Sequence, residues 1–347
     1  MEAILNTTSA LDYWRHHSES KGCSSFPCGS EPARKGPVRV CTPSAAIASD
    51  LASWGLANPD DMQLLVTSAG MRRQLKGVSC MVCKGPFPAN SFVRTLGQVY
   101  VECPELLFVL LAQSLPLVRL LEVGFELCGT YRMVDGSPAY GFEPLTSVAR
   151  IRSYARRASN IRGAGAALSA AQWLLDGSGS PAETALAIVF GLPLRLGGYA
   201  LGGFQLNAEL QLNETAARLL GRDTIRPDLY WEKAKHPAEY DSSCYHSGRE
   251  QADYDERRRN AYAAMGMSVT VIRSRHIISF GRIDEIACTI RKNIGRKCFH
   301  VPSDYEYRKD ALLAEAFRYW LGLRDDYGTG DDFAVRAASW SAPPSPW

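Results

Sequence analysis

Apolar residues along this chain come in short blocks separated by Gly, Pro and Ser. Runs at 62–67 and 78–83 predict buried strands, and Gly85-Pro86 with Pro88 marks a turn after them. The stretch 106–121 is more apolar, but it carries Gln113, Pro116 and Arg119. It predicts one or two buried helices, being shorter than the ~20 residues a membrane span needs. A short helix is expected over 9–18, followed by a linker rich in Ser, Gly, Pro and Lys over 20–37.

The pattern changes after position 176. Asp176-Gly-Ser-Gly-Ser180 breaks the chain and reads as a domain boundary. Ser180-Pro-Ala-Glu183 then has the form of a capping box, so a helix should start at 181 and run to 190. Strands are expected at 204–212, 224–230 and 236–240. A polar helix follows over 248–265, stopped by Gly266, then a strand over 268–272 and a helix over 283–294. This order predicts an α/β unit with a mixed sheet. The expected division is a helix and flexible linker (1–37), a smaller α/β or α+β domain (38–146), a basic helical connector (147–176), the mixed-sheet domain (177–300), and a helix with a mobile tail (301–347).

Composition bounds the function. The chain has 347 residues, 46% hydrophobic and 22% charged, which excludes wholesale disorder. Its net charge of +3 excludes a bulk polycation. The charge is uneven, however. Residues 257–297 hold ten Lys or Arg against two acids, and 147–165 hold five Arg and no acid. Solvated helix faces would explain such runs; phosphate contacts to DNA would explain them equally. Arg257, Arg258, Arg273 and Arg275 are the candidate contacts. Ten cysteines and no apolar leader fit reduced thiols in the cytoplasm. Cys80 and Cys83 have zinc-ligand spacing, but no second pair follows.

The chemistry concentrates in 226–241. Asp228 opens one expected strand. Glu239 and Asp241 end the next and, two apart, share a side of it. Carboxylates brought together raise one another's pKa unless a cation intervenes, so Mg²⁺ or Mn²⁺ is the expected cofactor, held by Asp228, Glu239 and Asp241. Glu183 is explained either by capping or as a further carboxylate. His246, Gln251 and Lys235 are local candidates for the general base.

In order, Glu183, Asp228 after Pro227, Glu239-Tyr-Asp241, His246, Gln251, Asp255 and Arg258 resemble the PD-(D/E)XK nuclease superfamily. The resemblance covers roughly 175–295 and is nearest the branch related to very-short-patch-repair endonucleases. It implies a restriction-endonuclease-like mixed sheet flanked by helices, metal binding by Asp228 and Glu239, and phosphodiester hydrolysis. The superfamily lysine two residues after the Glu is replaced by Asp241, and Ser242 stands where relatives often carry Gly. A degenerate, non-catalytic DNA-binding member is therefore the alternative.

Residues 7–15, 97–105 and 124–131 resemble, more loosely, AbiEi-type abortive-infection antitoxins. That resemblance implies a phage-defence or toxin–antitoxin setting and a possible protein partner. The winged helix of that family is not recognisable here.

Overall fold

The computed structural model describes residues 3–17, 62–72, 76–95, 99–241, 249–297 and 301–322. The expected linker at 20–37 and the tail beyond 322 lie outside the described residues, as does His246.

The first strand, β1 (Ala3–Leu5), is a short, fully buried apolar triplet. It is followed by α1 (Thr7–His17), β2 (Met62–Val66), β3 (Val78–Val82), β4 (Phe92–Arg94) and β5 (Val99–Glu102). These strands form one sheet in the order β3-β2-β1-β5-β4. The centre of the sheet is thus the amino-terminal triplet, with β2 antiparallel on one side and β5 parallel on the other. Residues 3–17 belong to this layer and are not a separate leader to it, which corrects the expected division at 37. Three residues are too few for periodicity to register.

Pro116 splits the long apolar stretch into α2 (Pro104–Leu111) and α3 (Leu117–Leu127). All eight residues of α2 are buried. A small hairpin follows, β6 (Tyr131–Val134) with β7 (Ser137–Tyr140), then α4 (Val148–Arg157) and α5 (Ala164–Ala171).

The Gly/Ser stretch at 176–180 is not a loose boundary. Gly177 N donates to the Cys128 carbonyl at 3.0 Å, Thr130 N donates to the Ser178 carbonyl at 2.8 Å, and Ser178 is wholly buried. A Cβ on Gly129 would sit 2.5 Å from that same Ser178 carbonyl, so the two segments touch backbone to backbone.

The Ser180 half of the expected capping box is present, while the Glu183 carboxylate takes Gly179 N and Ser180 Oγ in place of the Ser180 N–H. Glu183 N donates to Ser180 Oγ at 3.2 Å, and α6 (Pro181–Gly191) begins there as expected. The expected strand at 204–212 is instead β8 (Gln205–Leu206) and β9 (Leu210–Gln211), broken at Asn207, whose φ is +48°. After α7 (Glu214–Leu220), the expected strand at 224–230 divides at Pro227, which has no N–H for a ladder, into β10 (Thr224–Ile225) and β11 (Leu229–Trp231). Then come β12 (His236–Asp241), α8 (Arg249–Ala264), β13 (Thr270–Arg273), a short α9 (Ser274–Ile277), α10 (Phe280–Asn293) and α11 (Tyr305–Ala316).

The second sheet runs β13-β12-β11-β8. Its first three strands in sequence pair antiparallel, and β13 lies parallel to β12 after the helical crossover through α8. The protein is a mixed α/β fold. One continuous set of buried side chains runs from Ala3 to Phe317, drawing on both halves. The carboxy-terminal helix α11 packs on α6 and α3. Arg318 donates to both oxygens of Glu122, at 2.5 and 2.7 Å, fastening the end of that helix to the first half. Among the described residues no helix is long and apolar enough to cross a membrane.

Candidate functional site

Glu183 stands in the first turn of α6, where the capping sequence puts it. Its Oε2 accepts from Gly179 N at 2.7 Å and from the Asn207 amide, and its Oε1 accepts from Ser180 Oγ at 2.9 Å. The side chain therefore steadies the turn just ahead of the helix and also lines a cavity of about 570 Å³. Asp228, held between Pro227 and the start of β11, lines the same cavity. Its Oδ2 accepts from Tyr240 N at 2.7 Å. The two carboxylates thus come from a helix start and a strand start. Tyr140, Tyr240, Tyr319 and Trp320 supply aromatic wall.

Burial, and then the Glu183 charge, push the Asp228 carboxyl up to about 8 from an ordinary value of 3.8, against the Tyr240 N–H that favours its anion. Burial also raises the Glu183 carboxyl, opposed by its three donors. The folded chain therefore keeps a proton on Asp228 that the unfolded chain loses. This contribution to stability is full below about 3.8 and lost as pH rises through about 8. Asp228→Asn cannot ionise, so in EDTA it should melt a few °C above the wild type at pH 9, with a clearly smaller difference at pH 5. Parallel melting curves at the two pH values check this; an offset independent of pH would show that the acid is not under pressure.

Glu239 lies one step past the β11–β12 pair Leu229↔Ala238, across from Asp228. Its carboxylate is engaged by the next helix. Arg258 reaches both oxygens through Nε, at 3.4 Å, and Nη2, and Tyr262 OH donates to Oε1 at 2.6 Å. Asp241, in register with Arg273 on β13, accepts from Arg273 Nε at 3.0 Å. The expected metal triad of Asp228, Glu239 and Asp241 is thus not assembled, because two of its members face guanidinium groups. Among the described residues no set of three His, Cys, Asp or Glu is arranged to hold a metal ion. The carboxylates that share a cavity are Asp228 and Glu183. Their pairing rests on Asn207 and Gly179, which carry no signal of their own in the sequence.

Arg258 and Arg273 are correspondingly committed to carboxylates, unlike the open phosphate contacts expected of them. Arg257 and Arg275 are exposed. Arg275 and Arg282 flank His276 in a cleft of about 270 Å³. Burial and the neighbouring Arg275, Arg273 and Arg282 hold the His276 imidazole below its usual pKa. Lys235 is removed as a base: it is exposed, with φ +49°, in the turn at the opposite end of β12 from Asp241. Gln251 lies on α8, with its side chain outside the described residues.

No family model, curated protein or solved structure matches the chain.

Proposed function

We propose that the protein is a metal-dependent DNA endonuclease whose carboxy-terminal half has a restriction-endonuclease-like fold. The observation that carries this reading is the meeting of Asp228 and Glu183 in one cavity, at a strand start and a helix start of a mixed sheet flanked by helices. Two carboxylates, one pressed toward its neutral acid by burial and by the other's charge, are a donor set that fits a hard divalent cation. Mg²⁺ or Mn²⁺ bound there would polarise a phosphodiester and lower the pKa of an attacking water. Asp228 and Glu183 would hold the metal. Ser180, Gly179 and Asn207 fix the orientation of Glu183, and the Tyr240 N–H fixes that of Asp228. Asp241, closed by Arg273, has no part in this set.

The exposed cations of α8, α9 and α10 would seat the DNA backbone. Arg275→Ala should weaken DNA binding to all sequences alike and reduce the slope of log K against log salt by about one. Fluorescence anisotropy over a salt series measures this; an unchanged slope would remove Arg275 from the interface.

The reading as a whole is tested by Mg²⁺-titrated nicking of supercoiled DNA with wild type and Asp228→Ala. A second reading, a DNA-binding regulator on a degenerate nuclease fold, is favoured by the guanidiniums on Glu239 and Asp241. It expects salt-sensitive DNA binding that EDTA and Asp228→Ala leave unchanged. The amino-terminal resemblance supports a phage-defence or toxin–antitoxin setting for either reading.

A further inference from the structure

We propose that Arg258 is a positioning residue that latches Glu239, and that DNA phosphate releases the latch so that the metal site is completed only on substrate. This rests on the endonuclease reading of the Asp228 site.

Asp228, the cavity carboxylate Glu183 and Glu239, which lies across from Asp228 on β12, are already satisfied from within the chain. Glu183 has three donors, Asp228 has the Tyr240 N–H, and Glu239 has Arg258 and Tyr262. Of these donors only Arg258 is a cation, and it stands beside both acids: its charge pulls the Asp228 carboxyl down while Glu239 pushes it up. A guanidinium on Glu239 and a divalent cation that took Glu239 as a further ligand would be mutually exclusive ways of neutralising the same charge. For the cation to enter with Glu239 as a ligand, the guanidinium must leave.

It has somewhere to go. The planar fork of an arginine matches a phosphate as well as it matches a carboxylate. The Arg258 side chain retains 19% exposure, and on α8 it stands between the exposed Arg257 and Arg259. Its other ties are a 3.1 Å bond from Nη2 to the Arg226 carbonyl and a side-chain hydrogen bond with Tyr254. A backbone phosphate arriving on α8 can exchange with Glu239 for the guanidinium, and the divalent cation then replaces the charge that Glu239 loses. Charge is conserved at each position. Binding of DNA and of metal are consequently linked, and each raises the affinity of the other by the same factor.

The test is Mn²⁺ binding to the full chain, followed by the EPR signal of free Mn²⁺, with and without a hydrolysis-resistant duplex. Without DNA, Arg258→Met should bind Mn²⁺ about tenfold or more tighter than wild type, the scale of one charge-assisted pair. Adding duplex should tighten wild type by a similar factor and leave Arg258→Met little changed. Tyr262→Phe keeps the guanidinium and removes only a hydroxyl, so it should tighten Mn²⁺ binding less than Arg258→Met; it serves as the measure should Arg258→Met melt much lower than wild type. Equal Mn²⁺ affinity in wild type and Arg258→Met without DNA would overturn the latch, as would Mn²⁺ binding by neither. Nicking is scored separately. A chain that nicks DNA but shows equal Mn²⁺ affinities loses the latch and keeps the endonuclease reading. A chain that shows the Mn²⁺ shift without nicking keeps the latch and loses hydrolysis.

Discussion

Asp228→Ala should reduce Mg²⁺-dependent nicking of supercoiled DNA by at least roughly 10³-fold while leaving the fold in place. The expectation follows from position. Asp228 stands at the rim of β11, its Oδ2 takes one backbone N–H, and the rest of the carboxyl faces the cavity shared with Glu183. Removing it deletes a metal ligand outright, and loss of a single preorganised transition-state donor alone costs about 10²–10³. Glu183→Gln should follow in direction with a smaller loss, because the amide oxygen can still accept from Gly179 N while its NH2 donates to Ser180 Oγ, but the side chain no longer carries the charge. Gel assays with metal titration and matched melting curves separate lost chemistry from lost structure. If Asp228→Ala nicks as well as wild type, the hydrolytic reading is sunk.

The largest expected effect on stability lies elsewhere, at Arg132 on β6. Its side chain is almost fully buried, 1% exposed. Nη1 donates to the carbonyls of Glu126, Gly129 and Tyr131, at 2.8, 3.2 and 2.7 Å, and Nη2 to the Glu143 carbonyl at 2.7 Å. Its guanidinium carbon also lies 5.5 Å from the Phe142 ring centroid. Burial lowers its pKa to about 10, so the group is still a cation at neutral pH. It thus ties the end of α3 to both flanks of the β6–β7 hairpin. Arg132→Ala leaves four carbonyls facing a void and should cost about 3–5 kcal/mol. Arg132→Lys should recover only part of this, since one ammonium cannot span acceptors on both sides. Denaturant unfolding measures both; a loss below about 1 kcal/mol for the alanine variant would show that water fills the role of the guanidinium.

What could be read from the amino-acid sequence was local. The Ser180–Glu183 cap, the stop at Gly266 and the polar helix α8 depend on residues within a turn or two of one another, and they appear where expected. The placement of Asp228 at a strand start was legible for the same reason. The partners of Glu239 and Asp241 were not. Whether a strand carboxylate meets a metal or an arginine depends on how far α8 is rotated over β12 and on the parallel register that sets Arg273 beside Asp241. Neither is encoded in spacing. The split of the expected strand at 204–212 turns on one left-handed residue, Asn207, which also supplies the amide that steadies Glu183. β1 was invisible because its three residues become a strand only when β2 and β5 close on either side.

The unbroken core has a consequence for how this protein can change over time. Leu186, Val189 and Phe190 of α6 have no exposed surface, and they belong to the same buried set as Leu107 and Phe108 of α2. The half that carries the carboxylates therefore cannot be lifted out and passed on as an independent module. Glu183 is aimed by a helix whose back rests on the other half. Sequence drift among the amino-terminal helices is thus constrained twice, by the packing that aims Glu183 and by Arg15, Glu122 and Glu126, which line the same cavity.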